Sequence, residues 1–245
     1  MHIDPQTTVV VTGAGISVDS GIRPFRGKDG IWEENPMEMA TFRKFMSDPA
    51  HFLSWYYQRF VSCRNAVPNE VHEVLSDKGF RVITQNVDDL HQKANHPADR
   101  LIEIHGNIRF KRPVQAMYRD ELRHADWESI DEDNLVPSLF DLFRIHRDGE
   151  VDIESSLRPH ILLFDEYYTE LYEYEKAITW VEAAETIIFA GTSNSVGITE
   201  GILSMSVRAA KRIIVVDPNP SNSFRRNGVE LVEKNAKAYF CDLIS

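Results

Sequence analysis

Seven short apolar runs constrain this chain more than any other feature. They are TTVVVT (7–12), FRVIT (80–84), LIEI (101–104), HILL (160–163), TIIFA (186–190), RIIVV (212–216) and AYF (238–240). Most are continuous rather than alternating, the pattern of strands covered on both faces. Helical patterns lie between them. DPAHFLSWYYQRFVSC (48–63) opens on Asp-Pro, and PNEVHEVLSDKG (68–79) opens on Pro and stops at Gly79. TELYEYEKAITWVEAA (169–184) and ITEGILSMSVRAAK (198–211) separate later strands. Strands alternating with helices predict an α/β fold, a doubly wound sheet with parallel strands.

Two regions break the rhythm. Residues 31–65 are aromatic and helical, with no strand. Residues 107–157 are mixed and polar, and VPSLFDLFRIHRDGE (136–150) reads as a helix ending near Gly149. The two insertions are expected to build a smaller, mainly helical lobe. Residues 1–30, 66–106 and 158–245 would then carry the parallel sheet.

Composition narrows the function. A net charge of -11 argues against broad binding to nucleic acid, which needs a basic face. It suits cationic partners such as lysine-rich protein segments, and equally plain solubility. No apolar run reaches the roughly 18–20 residues that cross a bilayer, so no membrane is expected. The N-terminus lacks the basic region of a signal peptide. Two isolated cysteines, Cys63 and Cys241, fit a reducing, cytoplasmic setting and exclude a four-cysteine zinc site.

The stretch VVVTGAGISVDSGIRPFRG (9–27) carries the first chemistry. Gly13 and Gly15 follow a strand and precede a helix start. Glycine there lets backbone approach a pyrophosphate, whose charge a helix N-terminus favours. The spacing is neither the usual dinucleotide fingerprint nor a P-loop, and by itself also fits a plain strand-to-helix turn. Ser17, Asp19, Ser20, Arg23 and Arg26 crowd around Phe25, a mixture suited to a flap that closes on an anionic ligand.

The motifs, taken in order, resemble the sirtuins, NAD-dependent protein deacylases with a Rossmann-like domain. TGAGISVDSGIRPFRG (12–27) is similar to the cofactor loop of that family, with GIW (30–32) after it. TQNVDDLH (84–91) resembles its nicotinamide-pocket segment and IEIHG (102–106) its catalytic-histidine motif. RPHILLFDE (158–166) resembles its acyl-peptide strand and GTS (191–193) its second cofactor loop.

That resemblance implies a set of roles. Gly13, Ala14, Gly15, Ile16, Asp19, Phe25 and Arg26 would meet the cofactor NAD, Ile16 and Phe25 as apolar wall. Asp88 would anchor the nicotinamide carboxamide, and Gln85 and Asn86 would orient the ribose, Asn86 as a catalytic residue. His105 would be the general base, a role that favours a pKa near neutrality. Gly191, Thr192 and Ser193 would bind phosphate or ribose at a strand's carboxyl end. Asp217, where the family usually has asparagine, would accept bonds from the adenosine ribose and repel a 2′-phosphate, unless it merely caps a turn. Phe164, Asp165, Glu166 and Val196 would line the edges where an acyl-lysine peptide adds a strand.

Tyr56 and Arg59 sit one helical turn apart and resemble the Tyr-x-x-Arg pair of the branch that removes succinyl or malonyl groups. Arginine pairs with a carboxylate bidentately and tyrosine adds a donor. The same spacing fits an amphipathic helix with its arginine in water.

Two departures stand out. Residues 107–157 hold no cysteine, so no structural zinc is expected, and the lobe would rest on Trp127, Leu139, Phe140, Leu142 and Phe143. Asp165 stands where many family members have glycine, which keeps open a sirtuin-like NAD glycohydrolase or ADP-ribosyltransferase.

Overall fold

The computed structural model describes residues 3–23 and 36–242. Phe25, Arg26 and the GIW motif lie outside the described residues.

Along the chain come β1 (Thr8–Thr12), α1 (Pro36–Met39), α2 (Phe42–Ser47), α3 (Pro49–Cys63), α4 (Glu70–Asp77), β2 (Arg81–Thr84) and α5 (Leu90–Lys93). Then follow β3 (Leu101–Glu103), β4 (Gly106–Pro113), β5 (Arg123–His124), α6 (Leu135–Phe143) and β6 (Leu157–Ile161). The last part holds α7 (Tyr174–Ala183), β7 (Thr186–Ala190), α8 (Gly197–Arg208), β8 (Arg212–Val216), β9 (Val229–Val232) and α9 (Ala236–Asp242).

Six strands form a wholly parallel sheet in the order β3-β2-β1-β7-β8-β9. Both faces are covered, which is why its strands are continuous apolar runs. Val9, Val11, Ile187, Phe189, Ile213 and Val215 pack on one face with residues of α7 and α8. Val10, Ile188, Ile214 and Val216 pack on the other with residues of α4 and α9. Period-two alternation therefore sorts neighbouring residues into two separate cores.

A third core belongs to the smaller lobe. Trp127 is stacked on Phe60 with ring centroids 5.4 Å apart, and touches Phe143 at 5.2 Å. Its indole N–H donates to the Ile108 carbonyl at 2.6 Å. Leu139 and Phe140 are buried there too, with Leu142 partly so.

Four expectations need correction. HILL (160–163) is not a strand of the parallel sheet: β6 spans Leu157–Ile161 and pairs antiparallel with β4. With β5 this gives the lobe a three-stranded sheet beside its helices, in the order β5-β4-β6. An apolar run does not state its pairing partner; here β4 brings Arg112 opposite Arg158, and the Glu166 carboxylate joins both. AYF (238–240) is helical, because Asn235 accepts the Ala238 N–H at 2.8 Å and Phe240 packs against Phe80. The edge strand β9 was passed over, its residues being half-exposed and mixed in polarity. The helix expected to reach Gly149 stops at Phe143, where Arg144 turns left-handed at φ 52°.

Candidate active site

The parallel registers bring the strand ends level. Thr12 pairs with Thr84 and with Ala190, and Ala190 with Val216. Gly13, Gln85, Gly191 and Asp217 therefore leave the sheet along one rim. β1 has β2 on one side and β7 on the other, so the chain order reverses there. Reversal at the carboxyl ends of parallel strands opens a crevice.

Two loops interlock at this crevice. Gly15 N donates to the Gly191 carbonyl at 2.9 Å, and Gly13 N to that of Ala190 at 3.1 Å. A Cβ on Gly13 would lie 2.7 Å from the Gly191 oxygen, and one on Gly15 would lie 2.7 Å from Gly191 Cα. Gly191 itself has φ 61° and faces Gly15 and the Ile16 nitrogen. The glycines thus admit one loop to the other as well as leaving backbone open at the rim. Asn69 secures the same loop: its Oδ1 caps α4 while its Nδ2 donates to the Ile16 carbonyl at 2.8 Å and to Ser20 Oγ at 3.0 Å.

The polar centre is continuous. Asn86 Nδ2 donates to the Gly13 carbonyl and to Ser17 Oγ, both at 3.1 Å. Ser17 Oγ donates to Asp88 Oδ2 at 2.7 Å, and Leu90 N to Asp88 Oδ1 at 3.1 Å. Burial pushes the Asp88 pKa up, and the bonds from Ser17 and Leu90 oppose it. Gln85 Nε2 reaches Thr192 Oγ1 at 3.2 Å. The Gln85 carbonyl, in turn, holds His105 Nδ1 at 3.0 Å.

His105 stands between the sheets, after β3 and directly before β4. Gly106 makes that junction: its φ is 85°, and a Cβ there would collide with the His160 carbonyl oxygen. A carbonyl only accepts, so Nδ1 carries the proton and Nε2 presents its lone pair. Burial lowers the pKa to about 4, with the Gln85 carbonyl opposing. The ring is thereby held neutral, with a lone pair able to accept a proton. Nε2 already has a partner, the Tyr168 hydroxyl at 2.9 Å.

The other named residues differ in burial and partners. Ile16 is 2% exposed and packs with Val10, Val71 and Ile188 in a core. Asp19 is exposed on the side of Lys237, and Ala14 is half-buried. Ser193 is exposed, its hydroxyl 2.7 Å from that of Ser195. Asp217 accepts the Asn219 N–H at 2.8 Å, the turn cap already entertained, and burial raises its pKa.

The expected peptide edge has a particular construction. Asp165 Oδ1 accepts the Phe42 N–H at 2.6 Å and Oδ2 the Arg43 N–H at 3.1 Å. Glu166 grips Arg158 bidentately at 2.6 and 2.9 Å and accepts the Leu163 N–H at 3.0 Å. Phe164 is exposed and Val196 half-buried. On α3, Tyr56 is buried against Phe52, and the Arg59 guanidinium lies 4.3 Å from the Trp55 ring centre.

Sequence reasoning missed Tyr168. Its signal was the second of two tyrosines following Glu166, in a stretch weighed for Phe164, Asp165 and Glu166. It also missed the buried bonds of Asn107 to Asp89 and Glu103 that back the Asp88 loop, at 3.1 and 2.6 Å. Burial raises the Glu103 pKa to about 7. Among the described residues, no three His, Cys, Asp or Glu side chains are grouped to hold a metal ion.

The donor set suits a hydroxyl-rich nucleotide: two loop backbones, amides of Gln85 and Asn86, a buried carboxylate and a neutral imidazole. Among the described residues, a buried acceptor that follows Ser193, Asn194 Oδ1, has no hydrogen-bond partner. Fold and site together define a doubly wound nucleotide-binding α/β protein with a neutral imidazole at the junction of its lobes. The Sir2 family matches residues 13–197, and the chain belongs to it. A protein described as an NAD-dependent protein deacylase from Aeropyrum pernix is 34% identical, over 96% of this chain and 93% of its own. One from Bacteroides thetaiotaomicron is 32% identical over 93% and 92%. The NAD-dependent deacetylase sir2E of Dictyostelium discoideum is 34% identical over 83% of this chain, which spans 63% of that longer protein. Among solved structures, a mutant Sir2 homologue in complex with ADP-ribose superposes with a TM-score of 0.80 at 29% identity, covering 97% and 90% of the two chains. A Sir2 homolog–NAD complex gives 0.75 at 28% identity, covering 97% and 87%.

Proposed function

We propose that this chain is an NAD-dependent protein lysine deacylase. The observation that carries the reading is the network joining Asp88, Ser17, Asn86 and the glycine loop to Gln85, whose carbonyl fixes His105 as a neutral base. Relatives described as NAD-dependent deacylases and a neighbour solved with NAD support it. When bound, NAD supplies an activated ribosyl carbon with nicotinamide as its leaving group. Asp88, buried and bonded to Ser17, would receive the carboxamide. Gln85 and Asn86 would orient the ribose, and His105 Nε2 would accept a proton from a ribose hydroxyl. Gly13, Ala14, Gly15, Gly191, Thr192 and Ser193 would hold the phosphates, and Asp217 the adenosine ribose.

The acyl-lysine segment of a protein would lie along residues 164–166 with Val196 opposite. Asp165 was the reason to entertain a glycohydrolase, and its carboxylate is engaged by two backbone amides instead of facing a ligand. The acyl range includes acetyl and short acidic groups, with Tyr56 and Arg59 as the carboxylate's partners. The small lobe would hold without zinc, through the packing of Trp127; stoichiometric zinc in a metal assay would overturn this.

The test is incubation with NAD, with and without acetyl-, malonyl- and succinyl-lysine peptides, following nicotinamide by mass. Peptide-dependent release with O-acyl-ADP-ribose is expected. Release independent of peptide would replace the reading with a glycohydrolase.

A further inference from the structure

The base nitrogen that the reaction needs is covered. Tyr168 donates its hydroxyl to His105 Nε2 at 2.9 Å. The ring is steadied from behind by Tyr174, with centroids 5.6 Å apart. Tyr168 also packs with Val196 and Ile198, so it bridges the segment after Glu166 and the start of α8. Ahead of Tyr168, Glu166 is clamped by Arg158, while Tyr167 is 87% exposed and Phe164 43% exposed. A peptide chain entering this gap would meet Tyr168 and its bond to His105.

We propose that Tyr168 is a positioning residue that occupies the lone pair of the general base until an acyl-lysine peptide seated along residues 164–166 displaces it. The proposal rests on the deacylase reading above. Its consequence is economy of cofactor: without peptide, the ribose hydroxyl has to compete with Tyr168 for one acceptor. Tyr168 keeps its proton throughout, since burial raises its pKa. Among the described residues, the groups bonded to the imidazole are the Gln85 carbonyl and the Tyr168 hydroxyl. A donor on Nε2 stabilises the neutral ring, so removing it raises the His105 pKa.

The experiment uses Tyr168→Phe, which keeps the ring and its packing on Tyr174, beside wild type and His105→Ala as the inactive reference. Ligand-free protein with labelled histidine is titrated by NMR, and nicotinamide release is measured with and without acetyl-lysine peptide. In Tyr168→Phe, His105 is expected to titrate at higher pH. Peptide-independent release is expected to rise about three- to tenfold, the effect of one hydrogen bond, while peptide-dependent release changes less than about twofold. An unchanged titration together with an unchanged ratio of the two rates would overturn the proposal. A large fall in peptide-dependent release would also overturn it, because Tyr168 would then take part in the chemistry. If wild type releases no nicotinamide with any peptide, the deacylase reading fails, and the titration alone decides whether Tyr168 governs the lone pair.

Discussion

Asp165 caps the helix that Phe42 begins: the carboxylate accepts the Phe42 and Arg43 amide protons across 123 and 122 residues of sequence. Nearby, Phe164 N donates to the Ala40 carbonyl at 2.9 Å. The residue that looked like an obstacle to substrate thus anchors the small lobe to the expected peptide segment.

Asp165→Gly is therefore expected to destabilise the protein by about 1 kcal/mol, the usual cost of a lost helix cap, with an upper bound of about 2. Thr41 still caps Lys44 N, which limits the loss. Urea unfolding measures it. A midpoint equal to wild type would show that the cap contributes nothing.

Arg158 is 1% exposed and its guanidinium depends on Glu166. Arg158→Met should cost about 1–3 kcal/mol, because the half-buried carboxylate loses its bidentate partner. Arg112, 3.7 Å from Glu166, tempers this. Adding Glu166→Leu should recover part of the loss, and a double mutant as weak as the sum of the singles would contradict the pairing.

Gly191→Ala places a methyl against Gly15 and the Ile16 nitrogen at φ 61°. A loss of more than about 2 kcal/mol is expected, from strain and from parting the two loops. Calorimetry with ADP-ribose should show weakened binding as well. Normal stability and affinity would mean the loops separate without penalty.

Three histidines, His72, His91 and His96, stack edge to face behind β1, with centroids 4.9 and 5.7 Å apart. Burial lowers all three pKa values, that of His72 to about 4. The unfolded chain binds protons below about pH 6.5 that the folded one refuses, so these groups remove stability as pH falls from there towards 4. Glu103, raised to about 7, acts in the opposite sense, since acid relieves its buried charge. His72→Asn keeps the acceptor for the Asn69 N–H and removes one titration. Its stability should fall less steeply with acid, by up to about 1.4 kcal/mol per pH unit. Parallel curves for mutant and wild type would refute the assignment.

Arg59→Met should lower activity on succinyl- and malonyl-lysine peptides at least tenfold more than on acetyl-lysine, about 1.4 kcal/mol of lost charge recognition. Ratios of kcat/KM across the peptide panel measure this. Equal losses on all acyl groups would assign Arg59 to its stacking on Trp55 alone.

Much of this molecule is local in origin. The covered strands of the parallel sheet could be read from continuous β-branched runs, because burial on both faces leaves no room for polar alternation. The long helix α3 followed from Asp48, Pro49 and the spacing of its aromatics; Asp48 indeed accepts the His51 N–H at 3.2 Å. The order of family motifs placed Asn86, Asp88 and His105 in named segments before any coordinates. Pairing was not local. Nothing in HILL states that β6 joins β4, because an apolar strand fits either sheet until its neighbours are in place. Protonation was not local either: the ordinary pKa of histidine belongs to water, and burial at the lobe junction moved that of His105 to about 4. The partner of its lone pair, Tyr168, lies 63 residues further along the chain. Sequence made the covered strands and α3 legible; tertiary structure alone decided which side chains meet, because hydrogen bonds and desolvation act over ångströms of space and not along the chain.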